Sequence, residues 1–296
     1  MLKRREHNLT WRELYCYGQK ELKKNANISA DSELLHIFWH CFKMEKSDII
    51  LNSSEFAPKK DVDKFFEILK KRKSGMPLQY CIGKWEFMNI ELNVGEGVLI
   101  PREDTAVLVN ALLENLAKKW SQTKKLKIID LCSGSGCIAL ALEKNIKTPT
   151  EIYAAEISAK AFNYLKMNQL KNSSKIKLIN DDIFNCFINF EDDTFDAVVS
   201  NPPYIRSSDI KNLQPEVRRE PVIALDGGID GLDFYRKICK YWVQKLRPEG
   251  ILAFEVGFGQ ADDVKNIIQQ SGLKTISILS DINSISRAIL AVKPLH

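Results

Sequence analysis

Between residues 9 and 73 the apolar positions recur at helical spacing: Leu9, Leu14 and Tyr17, then Leu34, Leu35, Phe38 and Phe42, then Phe65, Phe66 and Leu69. Ser29 and Asp31 stand before the second run and Pro58 before the third, where helices start. The pattern predicts a small helical bundle over residues 1–75. Gly75-Met-Pro77 breaks the period and opens a connector over 76–101. Within it residues 84–100 alternate, with Asn and Gly at turn positions, and predict a β-hairpin. Pro101 is then expected to open a helix to about Lys119.

Beyond Lys125 the period changes to strand–helix alternation. Strands are predicted at Lys127–Leu131, Glu151–Glu156, Lys175–Asn180, Phe195–Ser200 and Gly250–Val256, then near Leu273–Ser280 and Ser286–Val292. Helices are predicted at Gly136–Glu143, Ser158–Leu170, Gly231–Leu246 and Ala261–Ser271. Such alternation needs right-handed crossovers and gives an α/β fold, a Rossmann-like, doubly wound, mostly parallel seven-stranded sheet. The last two strands have no helix between them and predict an antiparallel closing pair. The second domain is expected to span 102–296.

Composition narrows the class. The 296 residues suit about two domains, and 45% hydrophobic with 27% charged residues describes an ordinary globular chain. No apolar run approaches the roughly 18 residues of a membrane helix, and no apolar core follows the basic start Met1-Leu-Lys-Arg-Arg-Glu. A cytoplasmic protein without a membrane partner is expected. The seven cysteines are odd in number and never spaced as CxxC, against a disulfide framework or zinc site. His36 and His40 share a helical face but have no third ligand nearby, so no metal is expected. Residues 1–80 hold 16 Lys+Arg and 11 Asp+Glu, while 81–296 hold 27 of each. The net charge therefore sits in the first quarter of the chain, as a solvated helical surface or as a docking face for an acidic partner. Its lysines alternate with acids, which does not suggest direct nucleic-acid binding.

The candidate chemistry lies at strand ends. Asp130-Leu-Cys-Ser-Gly134-Ser-Gly136 leads from a strand into a helix, where glycines admit a ligand and free amides face it. Glu156 follows twenty residues later, at the end of the next strand, where a carboxylate can accept from two ribose hydroxyls. A tight turn and a solvated strand end would look the same, and nicotinamide-binding folds share both features. Asn201-Pro-Pro-Tyr204 is more specific, since it directly follows Phe195–Ser200 at the same sheet edge. Its prolines hold φ near about −65° and remove two donors, leaving a stiff loop rich in acceptors. Asn201 offers a carbonyl acceptor and an NH2 donor, and Tyr204 a flat face. The set suits a planar amide or aromatic amino group.

Five stretches carry a resemblance along almost the whole chain: Pro77-Leu-Gln-Tyr80 with Gly83; Val98-Leu-Ile-Pro-Arg102 with Thr105; Asp130 to Gly136; Asn201 to Tyr204; and Glu220-Pro-Val-Ile-Ala-Leu-Asp-Gly-Gly228 with Gly231-Leu232. In them the sequence resembles the N5-glutamine methyltransferases of peptide-chain release factors, which are S-adenosylmethionine-dependent. The tetrapeptide alone is shared with adenine-N6 and other amino methyltransferases acting on nucleic acid, the alternative reading. The resemblance implies that Cys132, Ser133, Gly134, Ser135 and Gly136 cradle the donor, braced by Asp130. Glu156 would bind its ribose and Asp182 or Ile183 would border its adenine. Asn201 and the Pro202 carbonyl would accept the substrate amide's two N–H bonds, with Pro203, Tyr204, Arg102 and Thr105 around it. It further implies S-adenosylhomocysteine as product, release factors as partners of a monomeric enzyme, and a helical domain that recognises them. Glu156 stands where aspartate is usual, and Ile183 where a larger ring can flank the adenine.

Overall fold

The computed structural model describes residues 9–24, 29–119 and 125–295. These form two compact units, one of residues up to Gly83 together with Pro215–Arg219, the other of Lys84–Gln214 and Glu220 onward.

The first unit is helical: α1 Trp11–Leu22, α2 Ala30–Phe42, α3 Lys46–Leu51, α4 Lys59–Lys73 and α5 Leu78–Ile82. Thr10 starts α1 through a capping box, its hydroxyl accepting from the Glu13 amide while Glu13 reaches back to the Thr10 amide at 2.9 Å. Leu14, Leu22, Leu34, Ile37, Phe38 and Phe65 are fully buried, so the spacing legible in sequence is the spacing of the core. Gly18 lets α1 approach α2, because a Cβ there would lie 2.5 Å from Leu34 Cδ1. A polar exception is Arg72, fully buried on α4, which bonds both oxygens of Glu33 and one of Glu216. Glu216 brings the segment Pro215–Arg219 into this unit, a long-range return that periodicity could not reveal. The predicted bundle boundary at residue 75 moves to Gly83, because the single-turn α5 packs Leu78 and Cys81 on the bundle core.

The second unit opens with a hairpin, β1 Lys84–Phe87 and β2 Ile90–Asn93. Met88 and Asn89 at its turn both have positive φ, as a two-residue turn matching strand twist requires. The hairpin is shorter than the predicted 84–100. Residues 94–100 lie outside the named strands, and the Ile100 amide donates to Glu220 Oε2 at 2.9 Å. Helix α6 (Thr105–Lys119) also starts later than Pro101. The alternation then runs β3 Leu126–Leu131, α7 Cys137–Asn145, β4 Thr150–Ala155, α8 Ala159–Lys171, β5 Lys177–Ile179, α9 Ile183–Cys186, β6 Phe195–Ser200, α10 Asp233–Trp242, β7 Leu246–Glu255, α11 Ala261–Gln270, β8 Lys274–Ser280 and β9 Ser286–Val292.

The seven strands order as β5-β4-β3-β6-β7-β9-β8, parallel except for β9, which pairs antiparallel with both β7 and β8. Order reverses between β3 and β6, which places a crevice at their carboxyl ends. β6 is buried throughout, as a central parallel strand should be. Its one charge, Asp196, accepts from the Lys127 amide at 2.8 Å and from Arg247 at 2.9 and 3.0 Å. Among the described residues no helix is long and apolar enough to cross a membrane.

Candidate active site

At the end of β3 the backbone turns sharply, with Cys132, Gly134 and Gly136 all in the left-handed region at φ +60°, +56° and +83°. Asp130 sits fully buried beneath this loop. Its Oδ2 accepts from the Ala139 amide at 3.3 Å, its main-chain oxygen accepts from Ser133 Oγ at 2.8 Å, and Oδ1 has no partner. Burial pushes its carboxyl up to about 8, against the pull of those bonds. The two glycines divide their roles. A Cβ at Gly134 would meet nothing within 4 Å, whereas one at Gly136 would meet Leu165 Cδ1 at 2.4 Å. Gly134 therefore faces open space, and Gly136 lets α7 pack against α8.

Glu156, the residue after β4, closes the loop from the side. Its Oε2 accepts from the Gly134 amide at 2.8 Å and its Oε1 from the Ser158 amide at 2.7 Å. Burial raises its pKa while these amides pull the other way. Beyond β5, Asp182 caps α9 by accepting from the Phe184 amide at 2.8 Å. Ile183 is almost wholly buried, and its carbonyl accepts from Trp242 Nε1 at 3.0 Å. The aromatic surface lies one residue further on. Phe184 packs on Phe234 with centroids 5.6 Å apart, and Lys237 Nζ sits 5.1 Å over its ring. Adjacency to Asp182 and Ile183 was the only signal for Phe184, and Phe234 and Lys237 carried none.

The fourth side is Asn201 to Tyr204. Ser200 Oγ donates to the Leu131 carbonyl at 2.7 Å, tying this loop to the glycine loop. The Asn201 Nδ2 donates to Thr105 Oγ1 at 3.4 Å, and Thr105 is fully buried. Gln260 Nε2 donates to the Tyr204 carbonyl at 2.9 Å, and Tyr204 Oη donates to Glu255 Oε1 at 3.4 Å. Arg102 forms an ion pair with the buried Glu220.

These groups surround one cleft of about 290 Å³. Cys132, Ser133, Gly134, Ser135, Glu156, Asp182 and Ile183 line it from the loop side, and Arg102, Thr105, Asn201 and Pro203 from the other. Gly136, Pro202 and Tyr204 are not on its wall. The Tyr204 ring instead packs beside Gly257, where a Cβ would lie 2.9 Å from Tyr204 Cδ2. One edge of the ring expected to offer a flat face thus supports the loop. Burial also raises its pKa. The cleft fits an adenosyl donor by chemistry: an open glycine, a carboxylate at the strand end and an aromatic patch lie along one wall.

Comparison with known proteins agrees with this geometry. Residues 104–217 match the family model "Methyltransferase small domain" and residues 13–83 match "PrmC N-terminal domain". The chain is 36% identical to a release factor glutamine methyltransferase of Clostridium acetobutylicum, over 89% of this chain and 90% of that protein. A protein of the same name from Thermodesulfovibrio yellowstonii is 37% identical, over 88% of this chain and 92% of its own. Among solved structures, a methyltransferase from Pyrococcus furiosus superposes with a TM-score of 0.51 at 16% identity, covering 76% of this chain and all of that one. The hMettl16 catalytic domain, solved with an RNA hairpin, gives 0.52 at 15% identity, over 80% and 84% of the two chains. At such identities these two show the fold alone. The full-length relatives decide the matter: the chain belongs to the release factor glutamine methyltransferase family.

Proposed function

We propose that this chain methylates the side-chain amide nitrogen, N5, of the glutamine in the Gly-Gly-Gln motif of peptide-chain release factors. The observation that carries the reading is Asn201, a half-buried amide on a stiff loop, on the wall of the cleft that Gly134 and Glu156 also line. Bound S-adenosylmethionine would supply a sulfonium methyl, which the amide nitrogen takes as the S–C bond breaks, leaving S-adenosylhomocysteine. Cys132 to Ser135, Glu156, Asp182, Ile183 and Phe184 are the residues that would hold the donor. Asn201 Oδ1 accepts an N–H bond of the glutamine amide and stabilises the positive charge that grows on nitrogen. The rigid loop fixes the line of attack, and Arg102 and Pro203 border the glutamine. The proton leaves the product nitrogen after transfer, so no dedicated base is assigned.

The helical unit is assigned to recognition of the release factor. The excess of Lys and Arg within residues 1–80 supports this, since a basic surface steers encounter with an acidic partner. A monomer working in the cytoplasm, without direct nucleic-acid contact, completes the reading. The catalytic part carries no net charge over residues 81–296, which disfavours an adenine methyltransferase acting on nucleic acid. Incubation with methyl-labelled donor and a release factor, followed by mass-spectrometric mapping, tests the reading. A methyl on the Gly-Gly-Gln glutamine is expected. Label on RNA or DNA, or on another residue of the factor, would overturn it.

A further inference from the structure

Helix α8 carries a fully buried amide, Asn168, which the mechanism above leaves unused. Its Oδ1 accepts from the Asn93 main-chain amide at 2.6 Å and from Asn93 Nδ2 at 3.0 Å. Its Nδ2 donates to the Asn93 carbonyl at 3.1 Å and to the Ser135 carbonyl at 2.9 Å. The main-chain partners can each play only one part, so the amide sits only this way round. Both donors and both lone pairs are thereby used. A buried amide so filled is held firmly, and it holds its partners in turn.

The partner that matters is Ser135, in the glycine loop. Before it, the Gly134 amide donates to Glu156 Oε2 at 2.8 Å. After it, the Gly136 amide donates to the Ser133 carbonyl at 2.8 Å, while Asn168 takes the Ser135 carbonyl. The peptide planes on either side of the Gly134–Ser135 bond are therefore both pinned. The amide between them, that of Ser135, has no protein partner among the described residues. Ser135 lies on the cleft wall, so this N–H is a loop donor left for a ligand. Gly134 and Gly136 stand on either side at positive φ, and glycine enters several backbone wells with little cost. Without a fixed carbonyl at Ser135, the peptide between them could turn. Asn168 itself is not on the cleft wall, so its influence on a ligand must pass through the loop.

We infer that Asn168 is a positioning residue for the methyl donor, holding the Ser135 carbonyl so that the Ser135 amide faces the cleft. This deepens the reading of the cleft as the donor site and rests on it. The same side chain fastens Asn93 at the end of β2, ahead of Gly97, where the chain reaches the cleft. A loop held in its binding form before the donor arrives needs no ordering on binding, and affinity rises by that saving.

The experiment compares wild type, Asn168→Ala and Ile268→Ala in the full-length protein. Ile268 is fully buried on α11 and not on the cleft, so its variant is a control for general destabilisation. In calorimetry well below each thermal midpoint, Asn168→Ala should bind S-adenosylhomocysteine about tenfold more weakly, as for a loop competent about a tenth of the time. Ile268→Ala should stay within about twofold of wild type. In steady-state methylation, KM for the donor should rise by a similar factor in Asn168→Ala. Its kcat at saturating donor should stay within about threefold, because a bound donor orders the loop. Hydrogen exchange needs no turnover. In donor-free Asn168→Ala the Gly136 amide should exchange about tenfold faster than in wild type, and saturating S-adenosylhomocysteine should restore its protection. Asn168→Leu, which removes the same bonds with less loss of volume, should reproduce these changes and serves if the alanine variant does not fold. In the wild type, the Asn168 side-chain NH2 should exchange slowly even without donor, and rapid exchange there would overturn the tether whether or not a variant folds. Failure of the wild type to bind S-adenosylhomocysteine would refute the donor site, while exchange at Gly136 would still report on the tether. Donor affinity in Asn168→Ala within about twofold of wild type, an equal loss in Ile268→Ala, or unchanged exchange at Gly136 would each overturn the role of Asn168.

Discussion

Replacement of Glu156 separates two jobs that the structure gives to one carboxylate. Its oxygens each hold one main-chain amide, Gly134 at 2.8 Å and Ser158 at 2.7 Å, and 8% of the residue is exposed. A hydrogen bond to a charged group contributes about 1.5–3 kcal/mol. The carboxylate must itself be desolvated, so the net loss in Glu156→Ala should be near one such bond, about 2 kcal/mol. At about 2–4 °C per kcal/mol for a domain of this size, the thermal midpoint of the donor-free protein should fall by about 4–8 °C. Removing the ribose acceptors should also weaken S-adenosylhomocysteine binding by about ten- to hundredfold in calorimetry. Glu156→Gln should be no better, since its NH2 must face one of the two amides. Glu156→Asp separates the jobs: the shorter arm should keep donor affinity within about threefold yet lose the Gly134 tether and part of the thermal midpoint. Unchanged binding in Glu156→Ala would refute the ribose role. An unchanged midpoint in all three variants would refute the tether.

Asn201→Ala should lower kcat by about a hundredfold while donor affinity stays within about threefold, and more than a tenth of wild-type turnover would contradict its place at the reacting amide. The raised Asp130 carboxyl makes stability depend on pH: the folded state holds a proton that the unfolded chain releases near 4, so stability should decline as pH rises from about 4 to about 8. Asp130→Asn should flatten that slope, at most about 1.4 kcal/mol per pH unit, and a wild-type-to-variant difference that does not change between pH 5 and 8.5 would exclude it. Arg72→Met should destabilise the helical unit by about 3 kcal/mol, the lower end for a buried pair, because Glu33 and Glu216 keep 17% and 30% exposure. Chemical unfolding followed by tryptophan fluorescence, with Trp11 and Trp39 in that unit, checks it.

The sequence by itself determined whatever depends on local chemistry. Period 3.6 gave way to strand–helix alternation at Lys125, because side-chain direction is set by the backbone period. The glycine loop and the Asn-Pro-Pro-Tyr loop were legible because backbone freedom at Gly134 and stiffness at Pro202 and Pro203 are properties of the residues themselves. Tertiary structure decided what depends on partners distant in the chain. Only packing of α7 on α8 separates Gly136, held against Leu165, from Gly134, which faces the cleft. Burial of Ile183 under Trp242 leaves Phe184 to carry the aromatic surface, although both residues follow Asp182. Tyr204 was expected to offer its face to the substrate, yet its ring lies beside Gly257 and its hydroxyl on Glu255. No period or motif links Thr105 to Asn201, or Tyr204 to Glu255. They meet because α6 begins, and β6 and β7 end, at one edge of the sheet, and these hydrogen bonds depend on that meeting rather than on order along the chain.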